Sequence, residues 1–528
     1  MKIADVRWRI SDLVLHFAFC TYDFGVRQLF AVLAALLLTS CTQSQATSAI
    51  DKLAPCKGDE MPVDAYCGTL KVYENRDTRQ GRQIDLNIVV LPALSSDPKP
   101  DPFFFLAGGP GQGAAQMAKP LRELFRQIVN DRDIVLVDQR GTGKSHPLNC
   151  LEEQDDSLNA FMMTDEIAFE RLKQCLSRYD ADLRLYTTTI AMDDLDAVRE
   201  YLGYETINVY GGSYDTRAAL VYLRQHGDRV RTVVLDGVAP TNMRLPLYAP
   251  RDVQRAFDRL IADCEADAGC NARYPRLGAR AAALVARLEK DPPLVPIAHP
   301  RTGERGEIRM QPRMVANIFM MALYQPLAAS LVPALIERGE QNDFQGMLAL
   351  AAMNDTGATP NMSIGMQLSV LCAEDAPRIT PEEAAKQAEG TLFGLHVMRL
   401  QRDACNFWPR GAVDPAFYEP VESGVPALIM SGDIDPVTPP FWGEQVAKTL
   451  SNSMHVVFPG TGHTPGTTAC GRRLIKSFID AGSVKSVDAA CVNNLARPPY
   501  FVTPAGPDPG PRNASPPSQG PGENGAGR

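Results

Sequence analysis

Apolar and polar residues set the first elements. Gly68–Val72 and Ile84–Leu91 read as strands, with alternating or continuous apolar residues around a polar turn, Asn75–Arg82. Four short apolar runs follow: Pro102–Leu106, Asp133–Val137, Thr206–Tyr210 and Val230–Leu235. Each ends in a loop containing glycine, and helical periods such as Ile190–Leu202 lie between them. Strands alternating with helices imply a mostly parallel sheet with helices on both faces, so functional loops are expected at the C-terminal ends of the strands. From about residue 250 to 410 the period becomes helical, with breaks at Pro292–Pro300 and Asp355–Pro360. Strand patterning returns at Val425–Met430 and Met454–Phe458.

The pattern divides the chain into five parts. A leader covers 1–41, the first part of an α/β core 42–240, a helical cap 241–410 and the second part of the core 411–497. The tail, 498–528, is rich in Pro, Gly and Ser, and is expected to be disordered. Residues 42–55 read as a tether.

The N-terminus points to export. Leu29–Leu38 is an apolar run behind Arg27, too short to span a bilayer and suited to a signal peptide. Leu38-Thr39-Ser40-Cys41 follows, either an ordinary cleavage region with a chance cysteine or a bacterial lipobox, with Cys41 the lipid-modified residue. Asp5, Asp12 and Asp23 are foreign to a signal peptide, which places the expected start near Val26. The expected location is the periplasmic side of a bacterial membrane, as a lipoprotein, or outside the cell. Setting aside Cys20 and Cys41 leaves ten of the twelve cysteines, an even number that suggests disulfides in an exported chain. Pairing of sequence neighbours is one of many connectivities: 56–67, 150–175, 264–270, 372–405 and 470–491. A net charge of −9 without a Lys/Arg-rich run argues against nucleic acid as a partner.

Three candidate chemical groups fall just past strands. Ser213 follows Thr206–Tyr210 in Gly-Gly-Ser-Tyr, Asp435 follows Val425–Met430 in Gly-Asp-Ile-Asp-Pro, and His463 follows Met454–Phe458 in Gly-Thr-Gly-His. A serine on a sharp strand–helix turn exposes its hydroxyl, an imidazole takes its proton, and a carboxylate fixes the imidazole. Each piece alone is common in turns and caps. Their shared position and the order Ser, Asp, His make the case for a catalytic triad. The glycines at 108, 109 and 111 fit half an oxyanion hole, with Gly109 and Tyr214 as the expected N–H donors.

These segments, together with Asp138-Gln139-Arg140-Gly141-Thr142-Gly143 and Asp435-Pro436-Val437-Thr438-Pro439, resemble the proline iminopeptidase and tripeptidyl aminopeptidase group of the α/β-hydrolase superfamily. The resemblance spans roughly residues 55 to 495. It implies the α/β-hydrolase fold with an inserted helical cap, an aminopeptidase activity through an acyl-enzyme, and no metal or organic cofactor. It favours Asp435 over Asp433, because Asp435 lies three residues beyond Gly432. The implied partners are short peptides with a free N-terminus, losing single residues (proline among them) or di- or tripeptides. Reading that amine calls for carboxylates, for which Glu374 and then Asp375 are the candidates; capping a helix at Pro381–Gln387 is their other reading. Met314–Leu335 reads as either a pocket lining or plain core.

Two residues depart from the group. Asp215 stands where a glycine is usual, two residues after Ser213, and Ala107 stands where many relatives carry His. Asp215 leaves open a weakly active or non-catalytic relative, and a carboxylesterase of the same fold is the other alternative. Asp138-Gln139-Arg140 is expected to make structural ion pairs, and orienting the site or the neighbouring loop is its other reading. Gly141–Ser145 mimics a phosphate loop but has Asp138 in place of its first glycine, and no H-E-x-x-H is present among the seven histidines.

Overall fold

The structure, a computed structural model, describes residues 49–149, 165–354, 362–503 and 506–507. The expected leader, with Cys41, lies outside the described residues.

Nine strands form the main sheet: β1 (Ala54–Pro55), β2 (Tyr66–Tyr73), β3 (Gln83–Leu91), β4 (Phe103–Leu106), β5 (Ile134–Val137), β6 (Ile207–Gly212), β7 (Val230–Asp236), β10 (Ala427–Gly432) and β11 (Ser453–Phe458). The remaining two, β8 (Leu294–Ala298) and β9 (Arg305–Arg309), pair as a separate hairpin. The order across the main sheet is β1-β2-β3-β5-β4-β6-β7-β10-β11. The β1–β2, β2–β3 and β3–β5 pairs are antiparallel, and from β5 to β11 every pair is parallel. The parallel strands bury both faces, which is why β4, β5, β6 and β10 read as apolar runs and not as alternation.

The two faces carry separate cores. Phe104 and Val209 join the layer under helices Thr188–Leu202 and Asp215–His226. Phe103, Phe105 and Tyr210 join the layer under helix Ala469–Ala481. The Phe105 and Tyr210 rings stack with centroids 4.9 Å apart. Each fully buried aromatic of this kind contributes roughly 1.5–3 kcal/mol relative to exposure. A third core fills the helices inserted between β7 and β10, around Phe257, Phe319 and Phe344. The Met314–Leu335 stretch divides between the two roles expected of it: Phe319 and Leu323 are core, while Met320 and Tyr324 face a cavity.

Several expectations change. The segment read as a tether is folded from residue 49: Ile50 and Leu53 pack on the core and Ala54–Pro55 pairs with β2. The break read at Pro292–Pro300 is the start of the β8–β9 hairpin. The tail is ordered at its beginning, where Tyr500 is buried in the cap core and donates its hydroxyl to Leu260 O at 2.8 Å. A composition poor in apolar residues hid this single aromatic anchor. Disulfides join Cys56–Cys67, Cys264–Cys270, Cys372–Cys405 and Cys470–Cys491. Cys150, the expected partner of Cys175, lies outside the described residues.

Candidate active site

The parallel strands bring the candidate residues to one end of the sheet. Gly212 of β6 is level with Asp236 of β7, Asp236 with Met430 of β10, and Gly432 with Phe458 of β11. The residues just past these ends therefore share one rim. Ser213 sits in the turn between β6 and helix Asp215–His226 with φ 59°, a left-handed conformation unusual for a non-glycine residue. The turn is possible because Gly211 has no side chain; a Cβ there would come within 2.1 Å of Asp215 O. Gly432 plays the same part on β10, where a Cβ would lie 1.9 Å from Gly462 O. That close approach puts the Asp435 loop against the His463 loop.

His463 Nδ1 lies 2.8 Å from Asp435 Oδ2, with Asp435 fully buried. The other carboxylate oxygen, Oδ1, accepts the N–H groups of Val437 and Thr438, each at 2.9 Å. The Thr438 hydroxyl donates to Oδ2 at 2.8 Å and is 3.2 Å from His463 Nδ1. Burial by itself would raise the Asp435 carboxyl. The charge and hydrogen bond of His463, with the two N–H groups, hold it below the usual carboxylate range instead. For His463, burial opposes the imidazolium, but Asp435 and then Asp236 hold the ring above its ordinary value.

His463 Nε2 is buried and has no hydrogen-bond partner. Ser213 and His463 flank the Asp236–Gly237 pair. Ser213 N–H donates to Asp236 O at 2.8 Å, and His463 Cε1 lies 3.1 Å from where a Gly237 Cβ would stand. No hydrogen bond joins Ser213 Oγ to His463; such bonds tighten when substrate binds. Ser213, Tyr214, Gly109, Thr438 and Tyr324 line a cavity of about 140 Å³ between core and cap. Neither the Gly109 nor the Tyr214 backbone N–H donates to a protein acceptor among the described residues. Both are free for an oxyanion.

The cap braces the rim from above. Tyr324 O accepts the His463 backbone N–H at 3.2 Å, and its ring meets the imidazole edge-on at 5.1 Å. Arg255 donates to the carbonyls of Asp433 and Asp435 at 3.0 and 2.6 Å. Sequence reasoning gave Thr438 and Arg255 no role, and read Tyr324 only as part of a candidate pocket lining, not as a support for His463. Only Thr438 carried a signal, as a hydroxyl three residues after an acid in a tight turn.

Glu374 and Asp375 require a correction. Neither lines the cavity, and both are fully buried in the second layer behind it. Glu374 accepts the Thr188 N–H at 2.7 Å and the Thr188 hydroxyl at 2.8 Å. Asp375 takes a two-pronged bond from Arg217 at 2.9 and 3.1 Å and the Leu245 N–H at 3.0 Å. With their oxygens occupied, they are not placed to read a substrate amine. Nor do they cap helix Pro381–Ala388, whose cap is Thr380 with Glu383. Burial pushes the Glu374 carboxyl up to about 7.

Of Asp138-Gln139-Arg140, Arg140 makes the expected ion pair, while Asp138 takes the other reading and holds neighbouring loops. Asp138 accepts the Ala115 and Lys144 N–H groups and so ties the glycine loop to the Gly141–Lys144 loop. Arg140 grips Asp194 at 2.7 and 3.0 Å. Gln139 Nε2 reaches Asp215 Oδ1 at 2.8 Å, and Asp215 Oδ2 is buried without a partner. Burial drives the Asp215 carboxyl well above its ordinary range. A carboxyl that binds its proton more tightly when folded favours the folded state at acid pH. That advantage is lost as pH rises from the unfolded to the folded pKa. Asp215→Gly is therefore expected to raise the thermal midpoint, more at pH 8 than at pH 5, and to preserve or raise hydrolysis. A clear loss of activity would count against a merely tolerated Asp215.

Residues 101–466 match the family model described as the alpha/beta hydrolase fold. The chain belongs to this family. The hydrolase is 27% identical to the serine protease Hip1 of Mycobacterium tuberculosis over 515 residues, covering 88% of this chain and 97% of that protein. It is 31% identical to the proline iminopeptidase of Neisseria gonorrhoeae over 146 residues, 27% of this chain and 34% of that one. Among solved structures, the Mycobacterium smegmatis proline iminopeptidase aligns over 79% of the hydrolase and 98% of its own chain, with 15% identity and a TM-score of 0.36. The hydrolase is an enzyme, a serine hydrolase of this fold.

Proposed function

We propose that the chain is a serine aminopeptidase that releases N-terminal residues from short peptides through an acyl-enzyme at Ser213. The observation that carries this reading is the Asp435–His463 bond at 2.8 Å, which leaves Nε2 unpaired beside the Ser213 turn. Asp435 fixes the imidazole with the Nδ1 proton toward the carboxylate. Nε2 then takes the Ser213 proton as the hydroxyl attacks the peptide carbonyl, and returns it to the departing amine. The Gly109 and Tyr214 N–H groups hold the oxyanion. Each such donor is typically worth about 3–4 kcal/mol in the transition state.

Support for peptides comes from relatives named as a serine protease and as proline iminopeptidases. The small cavity favours short substrates over folded proteins. With Glu374 and Asp375 withdrawn from the wall, the side-chain acceptors left for a substrate amine include the amides of Gln367 and Gln401. That wall also favours a second reading. Among the described residues that line the cavity there is no Asp, Glu, Lys or Arg, which suits a carboxylesterase equally well. Assaying one peptide amide with a free and with an acetylated N-terminus separates them. The aminopeptidase should cleave the free form at least ten times faster. Equal rates on both, with faster cleavage of a simple ester, would favour the esterase.

Export accompanies this proposal. The four disulfides placed among the described residues suit an oxidising compartment. Among the described residues no helix is long and apolar enough to cross a membrane. Lipid attachment at Cys41 is the corresponding proposal for the leader.

A further inference from the structure

A second buried acid lies beneath the His463 loop. Asp236 closes β7, fully buried, between the turn that carries Ser213 and the loop that carries His463. Its backbone carbonyl accepts the Ser213 N–H at 2.8 Å. Its Oδ2 accepts the Tyr210 hydroxyl at 2.6 Å and the Gly466 N–H, three residues past His463, at 3.0 Å. Its Oδ1 is buried with no partner. The next residue, Gly237, packs directly against the imidazole. An acid so placed costs free energy to desolvate, and packing alone would be served as well by a neutral side chain.

We propose that Asp236 is a positioning residue for hydrolysis: it anchors the His463 loop and the Ser213 turn to one strand end and supports the imidazolium as a second negative charge beside Asp435. This rests on the reading of Ser213 and His463 given above. The chemistry demands such support at one moment. When Nε2 takes the serine proton, a full positive charge appears on a largely buried ring. Charge fixed in place beforehand stabilises it without reorganisation.

The other polar groups facing this cluster are few. Asp435 and Thr438 come from the β10 loop, Tyr210 from β6 and Tyr324 from the cap, and Arg255 reaches the backbone of Asp433 and Asp435. Burial pushes the Asp236 carboxyl up to about 7, while Tyr210, Gly466 and His463 act to keep it charged. The charge of each group favours the charged form of the other. A charged Asp236 raises the pKa of His463, so losing that charge must lower it. The acid limb of kcat/KM, which reports the loss of the His463 proton, must then move to lower pH.

The test is the pH profile of peptide hydrolysis by the full-length protein and two variants. Asp236→Asn keeps the shape of the side chain and removes its charge. Tyr210→Phe keeps the ring stacked on Phe105 and removes the hydrogen bond that favours the charged carboxyl. Asp236→Asn should lower kcat roughly tenfold with little change in KM. It should also move the acid limb down by roughly half to one pH unit. Tyr210→Phe should move the limb the same way by less. A lower kcat with an unmoved limb in both variants would overturn the proposal and leave Asp236 a structural residue. If Asp236→Asn does not fold, Tyr210→Phe decides alone. Ser213→Ala is run alongside: if it keeps activity, the site itself has been misread, whereas a silent Ser213→Ala with unmoved limbs refutes only the role of Asp236.

Discussion

Ser213→Ala is expected to lower kcat/KM by on the order of 10⁴- to 10⁶-fold while the protein stays folded. The substitution removes one oxygen, and no hydrogen bond of the structure depends on it. The turn is held by other atoms: Ser213 N–H on Asp236 O, and Ser213 O accepting the Thr216 N–H at 3.0 Å and its hydroxyl at 2.7 Å. These survive in alanine, so the thermal midpoint should hardly move. His463→Ala should cost a comparable factor. The double variant should be little worse than either single one, because the two groups act in the same proton transfer. Labelling by a fluorophosphonate probe gives an independent readout, expected in the parent protein and absent in Ser213→Ala. A parent protein that takes no label, or a variant that still hydrolyses substrate, would defeat the serine mechanism.

Arg217→Ala should be the most damaging change to stability, by roughly 3–5 kcal/mol. Arg217 is fully buried and holds Asp375 with two bonds, Met243 O with a third at 2.7 Å, and Glu374 more distantly at 3.4 Å. Alanine would leave Glu374 without its cation and Asp375 with only Arg378 at 3.4 Å, and would open a cavity. The pH dependence supplies a second check. Glu374, already raised to about 7 by burial, loses the positive charge that lowers it and binds its proton more tightly still. A protonated acid is cheaper to bury than a carboxylate. The deficit relative to the parent should therefore be smaller at pH 5 than at pH 8. Thermal midpoints across that range measure it. A midpoint unchanged at pH 8 would mean that the cluster contributes little to the fold.

The two roles assigned to acids in this chain show where sequence reading works. Strand patterning was legible because buried parallel strands must be apolar on both sides, and the positions of Ser213, Asp435 and His463 followed from strand ends. Their local motifs are short and contiguous, so one dimension suffices to see them. Glu374 and Asp375 were misread because their partners are remote: Thr188 and Arg217 lie more than 150 positions earlier in the chain. Arg217 lies two residues from Asp215 yet faces the other way, since the two occupy different sides of one helix turn. Tyr500 and the β8–β9 hairpin were hidden by composition, Pro-rich in both places. Asp236 was visible only as the end of a strand, and its neighbours come from β6 and from the loop beyond β11.

The grip of Tyr324 and Arg255 on the rim has an implication for protein engineering. Two of the three loops that carry Ser213, Asp435 and His463 rest on groups borrowed from the inserted helices, so the sheet and its roof form one instrument and not a frame with an interchangeable lid. A chimaera that grafts a foreign roof onto this frame would need to import a backbone carbonyl for His463 and a guanidinium for the acid loop. Without them, new selectivity would come with a loosened imidazole.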